Sequence, residues 1–237
     1  MNKQDIVKYI RKKLIGYSDG KTRNSFQRFF KEKVKCHGVK SSLVGKAIKE
    51  TYGKVSGLSR KEVFDVCEEL FKSGYCEEAW VASNFVSKYC KKYLISDFKV
   101  FERWINKYID NWAECNGFCT DIMASLIDQY PKYKEKVKKW TKSRNRWVKR
   151  ASALSFIVAA RRGGCLKDVF EISDTLLIDK DDMVQKGYGW LLKESSRLNQ
   201  KKVFDFVYER RLKMPRTALR YAIEKMPQDL RKKAMSK

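Results

Sequence analysis

Apolar residues recur at helical spacing along almost the whole chain, and this pattern limits the fold more than any single motif. Ser59 and Glu62 have the spacing of a capping box, Gly74 suits a helix end, and the apolar positions between them follow i, i+3, i+4, i+7 and i+8: Val63, Val66, Cys67, Leu70 and Phe71. No stretch alternates like a β-strand, and three prolines and twelve glycines are too few for a β-sandwich or barrel. The sequence therefore predicts an all-α fold.

We predict about a dozen helices separated by short connections. They span residues 3–15, 24–35, 41–52, 60–73, 77–91, 97–111, 117–130, 133–142, 145–161, 166–178, 182–197, 201–211 and 215–226, followed by a short tail. No linker rich in proline, glycine or serine divides the chain, so we predict one domain, residues 1–237. Two-helix units spaced about 35 to 45 residues apart favour a HEAT-like helical-repeat solenoid, an α-α superhelix with a concave face. A compact, non-repeating helical bundle is the alternative.

The net charge is the second constraint. The 237 residues include 53 Lys and Arg against 28 Asp and Glu, which gives a formal charge of +25. Such a charge destabilises a compact protein by self-repulsion, so we expect a polyanionic partner. Nucleic acid is the first candidate and an anionic membrane surface is the second. With 43% hydrophobic residues the chain can still build a core, so the charge does not indicate disorder.

Basic residues are concentrated in two regions. Ten of them occur in the nineteen positions from Lys132 to Arg150, where Tyr133, Trp140 and Trp147 are interleaved, and a second group lies at 210–220. Lysine and arginine neutralise phosphates, and an aromatic face can lie against a sugar or a base. This pattern predicts that the concave face is basic and binds nucleic acid, whereas the alternative is an ordinary solvated helix surface.

Several other classes of protein and site are disfavoured. The longest apolar stretch, residues 151–160, is about half of a bilayer crossing, and the N-terminal segment lacks the apolar core of a signal peptide. The seven cysteines, at positions 36, 67, 76, 90, 115, 119 and 165, are expected to be reduced thiols of a cytoplasmic protein. Cys115 and Cys119 are spaced like half of a metal site, but the sole histidine, His37, is distant in sequence, so we predict no metal.

Four segments that follow one another along the chain share a pattern: His37–Glu50, Asp110–Cys119, Met183–Glu194 and Met214–Lys225. Together they resemble the DNA alkylation repair enzymes of the AlkD type, which are HEAT-like-repeat DNA glycosylases, and the resemblance covers residues 25 to 226. It implies excision of cationic alkylated purines, such as 3-methyladenine and 7-methylguanine, from double-stranded DNA. The alkylated base is already a good leaving group, so the enzyme's task is to stabilise the oxocarbenium ion that develops on the deoxyribose and to position water.

The resemblance also implies roles for particular residues. The two tryptophans that lie against the sugar in the family match Trp112 and Trp190, and the arginine that holds the DNA backbone matches Arg150. Taken with the charge pattern, we predict that the DNA-binding residues are Arg150, Lys149, Arg146, Arg144, Lys186 and Arg216. Without the resemblance, the tryptophans would be read as core residues and Arg150 as one more surface cation.

Asn116 is the departure from the family pattern. The family has an aspartate four residues after the first tryptophan, facing the sugar cation, and this chain has asparagine there. The i, i+4 spacing places Trp112 and Asn116 on one face of a continuous helix, where Asn116 is a third candidate catalytic residue, or only a helix cap before Gly117. Asparagine forms hydrogen bonds but carries no charge to oppose a cation, and Glu114 is predicted to face away.

Two main functions remain open from the sequence. The first is a DNA N-glycosylase, a hydrolase that needs no cofactor and acts as a monomer in the cytoplasm, associated with the nucleoid. The second is a catalytically weakened or non-catalytic paralogue that binds damaged, distorted or branched DNA, which the asparagine favours. An RNA-binding or protein-scaffolding solenoid is a third alternative.

Overall fold

A computed structural model describes residues 2–89 and 92–236 of the chain. The described residues form helices and short connections, and the β-structure among them is a single isolated bridge between Lys35 and Tyr75. The prediction of an all-α fold is confirmed. The chain divides into two compact units, Met1–Phe118 and Cys119–Lys237. The prediction that residues 1–237 act as one domain with a concave basic face stays a prediction.

The described residues of unit 1 form seven α-helices. They are α1 (Lys3–Gly16), α2 (Gly20–Phe26), α3 (Ser41–Tyr52), α4 (Arg60–Lys72), α5 (Cys76–Tyr89), α6 (Asp97–Lys107) and α7 (Trp112–Gly117). A short 3₁₀-helix, Gln27–Phe29, extends α2. Helix α4 packs against α5, and α1 packs against α3 and α4. The core of the unit is strongly aromatic, because the buried Trp104 ring contacts Phe64, Phe71, Phe101 and Phe118.

Unit 2 contains the remaining helices. After α7 the chain continues as a π-helical segment, Phe118–Met123, and then forms α8 (Ala124–Gln129), α9 (Lys134–Lys139), α10 (Arg146–Leu154), α11 (Ile157–Arg161), α12 (Leu166–Thr175), α13 (Asp182–Arg210), α14 (Arg216–Ile223) and α15 (Gln228–Met235). Helix α13 packs against α10, α11, α12 and α14, so it is the central element of this unit.

Local signals in the sequence place several helix ends correctly. Ser59 and Glu62 form the predicted capping box of α4, and Gly74 has φ +71°, a backbone conformation that disfavours residues with a Cβ atom. The predicted break between residues 197 and 201 is a kink inside α13, where Asn199 has the non-helical angles φ −127° and ψ 39°. These features depend on neighbouring residues, so they are visible without a tertiary structure.

Other predicted boundaries are wrong. The helix predicted at 24–35 ends as an α-helix at Phe26, and after the 3₁₀-turn the chain is irregular. The helix predicted at 145–161 is two helices, α10 and α11, and the one predicted at 117–130 begins five residues earlier, at Trp112, because Asn111 caps it. The helix predicted at 77–91 is α5, and its predicted last two residues, Cys90 and Lys91, lie outside the described residues.

Gly189 sets how closely α13 approaches α14. A Cβ atom at this position would lie 2.7 Å from the Cβ atom of Tyr221 and 2.8 Å from the carbonyl oxygen of Ala218, so even a methyl group forces the two helices apart. We expect Gly189→Ala to lower the free energy of unfolding by about 1–3 kcal/mol, measured by urea denaturation. Gly45→Ala is the matched control, because Gly45 lies in α3 with open space around its Cβ position. Helix propensity predicts a gain of up to about 1 kcal/mol there, and equal effects at the two glycines would contradict this account of the packing.

Candidate nucleic-acid interface

Trp112 is the first residue of α7 and is held at a defined position. The side chain of Asn111 caps the helix, since its Oδ1 accepts hydrogen bonds from the backbone N–H groups of Ala113, at 3.1 Å, and Glu114, at 3.0 Å. The indole N–H of Trp112 donates to the carbonyl oxygen of Phe29, at 3.1 Å. This hydrogen bond fixes the position of the ring. Because Trp112 is half-buried, part of its surface remains open to a ligand.

Trp112 belongs to a row of four partly exposed aromatic rings, which we call the aromatic ladder: Trp80, Phe26, Phe30 and Trp112. Trp112 stacks on Phe30, with ring centroids 5.3 Å apart, and Phe30 stacks on Phe26 at 5.1 Å. Phe26 lies against Trp80 at 6.0 Å. This ladder is not predicted from the sequence, because the apolar pattern of residues 24–35 indicates one continuous helix. The signal that was present is the group of three phenylalanines among basic residues at 26–30.

Asn116 lies one helical turn after Trp112 in α7, which runs without a break from Trp112 to Gly117. Because the helix is continuous, the i, i+4 spacing places Trp112 and Asn116 on the same helical face. Asn116 is half-buried, and it is a neutral amide at the position where the resemblance implied a carboxylate.

Glu114 does not replace that missing carboxylate. Its side chain is 4% exposed and contacts the Cys76 thiol and Asn111. Burial raises the pKa of Glu114 to about 8, with a further contribution from the negative charge of Asp110, while hydrogen bonds from Asn111 and Cys76 oppose the shift. At neutral pH this group is mainly a protonated acid inside unit 1, so it brings little negative charge to the surface beside Trp112.

The raised pKa of Glu114 predicts a pH-dependent stability. Between the ordinary pKa of 4.5 and a native value of about 8, the folded protein retains a proton that the unfolded chain has lost, so stability falls as pH rises through this window. We expect Glu114→Gln to remove this dependence, which makes the variant more stable than the natural protein by a few kcal/mol at pH 8.5 and similar to it near pH 4.5. Urea denaturation across the range tests this, and Asp110→Asn should weaken the dependence because it removes the neighbouring charge. Parallel stability curves for the natural protein and Glu114→Gln would contradict the assignment.

Trp190 in unit 2 is also half-buried and fixed by a hydrogen bond. Its indole N–H donates to Oε1 of the buried Glu194, at 3.2 Å. Burial opposes ionisation of Glu194, but hydrogen bonds from Arg197, Arg161 and Trp190 outweigh it and lower its pKa below the usual value. Glu194 is therefore an anchored carboxylate that orients Trp190. Neither candidate tryptophan is enclosed in a core.

Arg150 is buried, whereas the sequence predicts that it lies at the surface and contacts DNA. It is 5% exposed, its guanidinium donates to the carbonyl oxygen of Met183, and a Cβ atom at Gly187 would lie 3.2 Å from its Cγ. Arg150 therefore links α10 to the first turns of α13, the helix that carries Trp190. A direct contact of Arg150 with DNA stays a prediction.

Three of the other predicted phosphate-binding cations are neutralised within unit 2. Each contacts an aspartate of the segment 179–182: Lys149 with Asp179 at 2.5 Å, Arg146 with Asp181 at 2.7 Å, and Lys186 with Asp182 at 3.4 Å. Arg144 and Arg216 are exposed and make no ion pair among the described residues, although Arg216 donates to the carbonyl oxygen of Met235 at 3.4 Å. These two arginines are thus the most accessible of the six.

Unit 1 carries 24 basic and 14 acidic residues and unit 2 carries 29 and 14, so their net charges are +10 and +15. The positive charge is shared by both units.

In the described part of the chain, no three or more His, Cys, Asp and Glu side chains are grouped as a metal site would require. No helix among the described residues combines the length and the hydrophobicity that a transmembrane segment needs.

Together, the helices, the excess positive charge and the partly exposed tryptophans define an all-α protein with features of a nucleic-acid-binding protein. The chain belongs to the DNA alkylation repair enzyme family, whose sequence pattern it matches over residues 10–226. This confirms the resemblance drawn from its four segments. The comparison with curated proteins finds no match.

Two solved structures share the fold at low sequence identity. A protein from Enterococcus faecalis, described as a predicted DNA alkylation repair enzyme, aligns with a TM-score of 0.79 and 12% identity over 89% of this chain and 97% of its own. The alkylpurine DNA glycosylase AlkC from Pseudomonas fluorescens, bound to DNA containing an abasic site analogue, aligns with a TM-score of 0.53 and 15% identity. That alignment covers 98% of this chain and 64% of AlkC.

Proposed function

We propose that this protein is a DNA N-glycosylase that hydrolyses the N-glycosidic bond of cationic alkylated purines in double-stranded DNA. The observation that carries the proposal is the retention of Trp112 and Trp190 as fixed, partly exposed rings in a chain of the alkylation repair family. The similarity of the fold to AlkC, a glycosylase captured with DNA containing an abasic site analogue, supports DNA as the partner.

The two tryptophans act on the sugar cation. As the cationic base departs, positive charge develops on the deoxyribose, and the negative face of an indole ring attracts that charge. Hydrogen bonds of both indole N–H groups to protein oxygens hold the rings in place, so little reorganisation is needed when the charge appears. Asn116 contributes a hydrogen bond to the attacking water or to the sugar, but no charge. The chemistry is a metal-free hydrolysis, and we propose that no cofactor takes part.

DNA binding relies on the phosphate backbone. Arg144 and Arg216 are exposed and neutralise phosphates, and both units add a positive field that attracts the duplex. We further propose that the helices form a HEAT-like superhelix with a basic concave face. The protein is proposed to act as a monomer, in the cytoplasm at the nucleoid.

The test is release of 7-methylguanine from methylated duplex DNA with enzyme in excess. We expect release that depends on the protein and that decreases at least tenfold in Trp112→Ala and in Trp190→Ala. The control is Trp80→Ala, which removes a ladder ring that has no proposed contact with the sugar. Equal release by the natural protein and by both candidate variants would reject the catalytic assignment.

Asn116 favours a second function, in which the protein binds damaged, distorted or branched DNA without excising a base. In that case Trp112 and Trp190 hold the DNA, and the carboxylate that opposes the sugar cation has been lost. Tight binding to duplex DNA with an abasic site analogue, together with no base release, would identify this function.

A further inference from the structure

Phe29 is an exposed aromatic side chain at the end of the 3₁₀-helix, and its carbonyl oxygen accepts a hydrogen bond from the indole of Trp112. Its ring is 71% exposed, although burial of a phenylalanine is normally favourable by about 1.5–3 kcal/mol. The large apolar side chains that are exposed elsewhere in the described chain are all aliphatic: Ile15, Leu94, Ile95, Ile178, Leu198 and Leu212. Phe26 and Phe30, by contrast, pack in the aromatic ladder. Among the described residues, no aromatic ring stacks on Phe29, and most of its surface remains exposed.

The loop that carries Phe29, residues 27–34, is preorganised. The side-chain amide of Gln27 closes it, since Nε2 donates to the carbonyl oxygens of Phe30, at 3.3 Å, and Glu32, at 2.7 Å, and Oε1 accepts from the backbone N–H of Val34, at 3.2 Å. The carbonyl oxygen of Phe29 itself accepts the indole N–H of Trp112. The loop therefore presents the Phe29 ring from a fixed backbone, directly beside a candidate catalytic residue.

The charged residues around Phe29 indicate which class of partner contacts its ring. The segment from Gln27 to Lys35, with both ends included, contains four basic residues and one acidic residue. Arg28 and Lys33 are exposed and make no ion pair within the described part of the chain. A protein interface has few unpaired cations around an apolar contact, whereas the phosphates on both sides of a base step provide the complementary charge. The chemistry therefore favours DNA bases flanked by phosphates over an apolar protein surface.

We propose that Phe29 is a wedge that inserts into the base stack of DNA next to the nucleotide contacted by Trp112. The proposal rests on the proposed function in taking DNA as the partner, but it does not require base excision. Proteins that bend DNA insert phenylalanine and other apolar side chains between base steps, at a cost of a few kcal/mol for unstacking. That cost is lower where a base is damaged or missing, because part of the stacking is already lost. The wedge therefore gives the protein a preference for damaged sites.

The experiment compares two duplexes, one intact and one with a single abasic site analogue, each with 2-aminopurine as the neighbouring base. On binding of the natural protein, we expect 2-aminopurine fluorescence to rise because the step opens. Phe29→Ala should weaken binding to the abasic duplex by about tenfold, reduce the fluorescence rise, and abolish most of the preference over intact DNA. Phe29→Trp keeps an aromatic ring and should remain within about twofold of the natural protein. Ile15→Ala removes an exposed aliphatic side chain from the same unit, and it should leave the affinity, the preference for the abasic duplex and the fluorescence rise unchanged.

The outcomes separate this proposal from the proposed function. Unchanged affinity, preference and fluorescence in Phe29→Ala, with thermal unfolding also unchanged, would overturn the wedge while excision remains possible. A Phe29-dependent preference in a protein that releases no base supports the wedge and rejects excision. A natural protein that binds neither duplex overturns both. Binding to RNA or to an acidic protein that depends on Phe29, with none to DNA, also overturns the wedge.

Discussion

Asn116→Asp is expected to raise the single-turnover rate of 7-methylguanine release from methylated duplex DNA by about 10²–10³-fold, the range of one preorganised electrostatic group. The new carboxylate lies on the same helical face as Trp112 and opposes the positive charge that develops on the deoxyribose. Because that charge appears only on the way to the transition state, the gain should be in the rate and not in DNA affinity. Affinity should fall slightly, since an added anion lies near phosphates.

Asn116→Ala is the matched control for this experiment, because it removes the amide without adding charge. A natural protein already as active as the aspartate variant would show that the carboxylate is dispensable here. If the natural protein and Asn116→Asp are both inactive but bind DNA tightly, the non-catalytic function is correct. A rise in rate for aspartate and no rise for alanine would show that the departure from the family pattern weakened an existing active site.

Affinity for duplex DNA is expected to fall by roughly a thousandfold between 50 and 200 mM salt, if about six phosphates are neutralised. Bound cations release condensed counterions, so the logarithm of the affinity falls with the logarithm of the salt concentration by about 0.9 per phosphate. Titrations of a fluorescent duplex at several salt concentrations measure this slope. A flat response would indicate a protein partner instead of nucleic acid.

Single substitutions can show which cations contribute to this salt dependence by neutralising a phosphate. Arg144→Ala should reduce it by about 0.9, because Arg144 is exposed and makes no ion pair among the described residues. Lys61→Ala is the control, since Lys61 is also exposed but is paired with Asp65 one turn away, at 2.7 Å. Equal changes in slope for the two variants would mean that the positive field is diffuse and that Arg144 has no specific contact.

The class of fold and the family can be read from the sequence alone, and the candidate site residues were selected from it. Helical periodicity and capping signals are local, so the start of α4 after its cap Ser59, its end before Gly74 and the kink at Asn199 are readable from neighbouring residues. The family was also readable, because its four segments keep their order along the chain. The spacing of Trp112 and Asn116 required only that one short helix be continuous.

Tertiary contacts determine which of these side chains remain accessible to a ligand. A count of charges cannot show that Lys149 and Arg146 meet aspartates 30 and 35 residues further along the chain, or that Arg150 is buried against α13. The aromatic ladder likewise joins Phe30 to Trp112 across 82 residues of sequence. Such contacts depend on how helices pack, and packing is decided by the shape of the whole buried surface, whereas periodicity reports only which face of each helix is apolar.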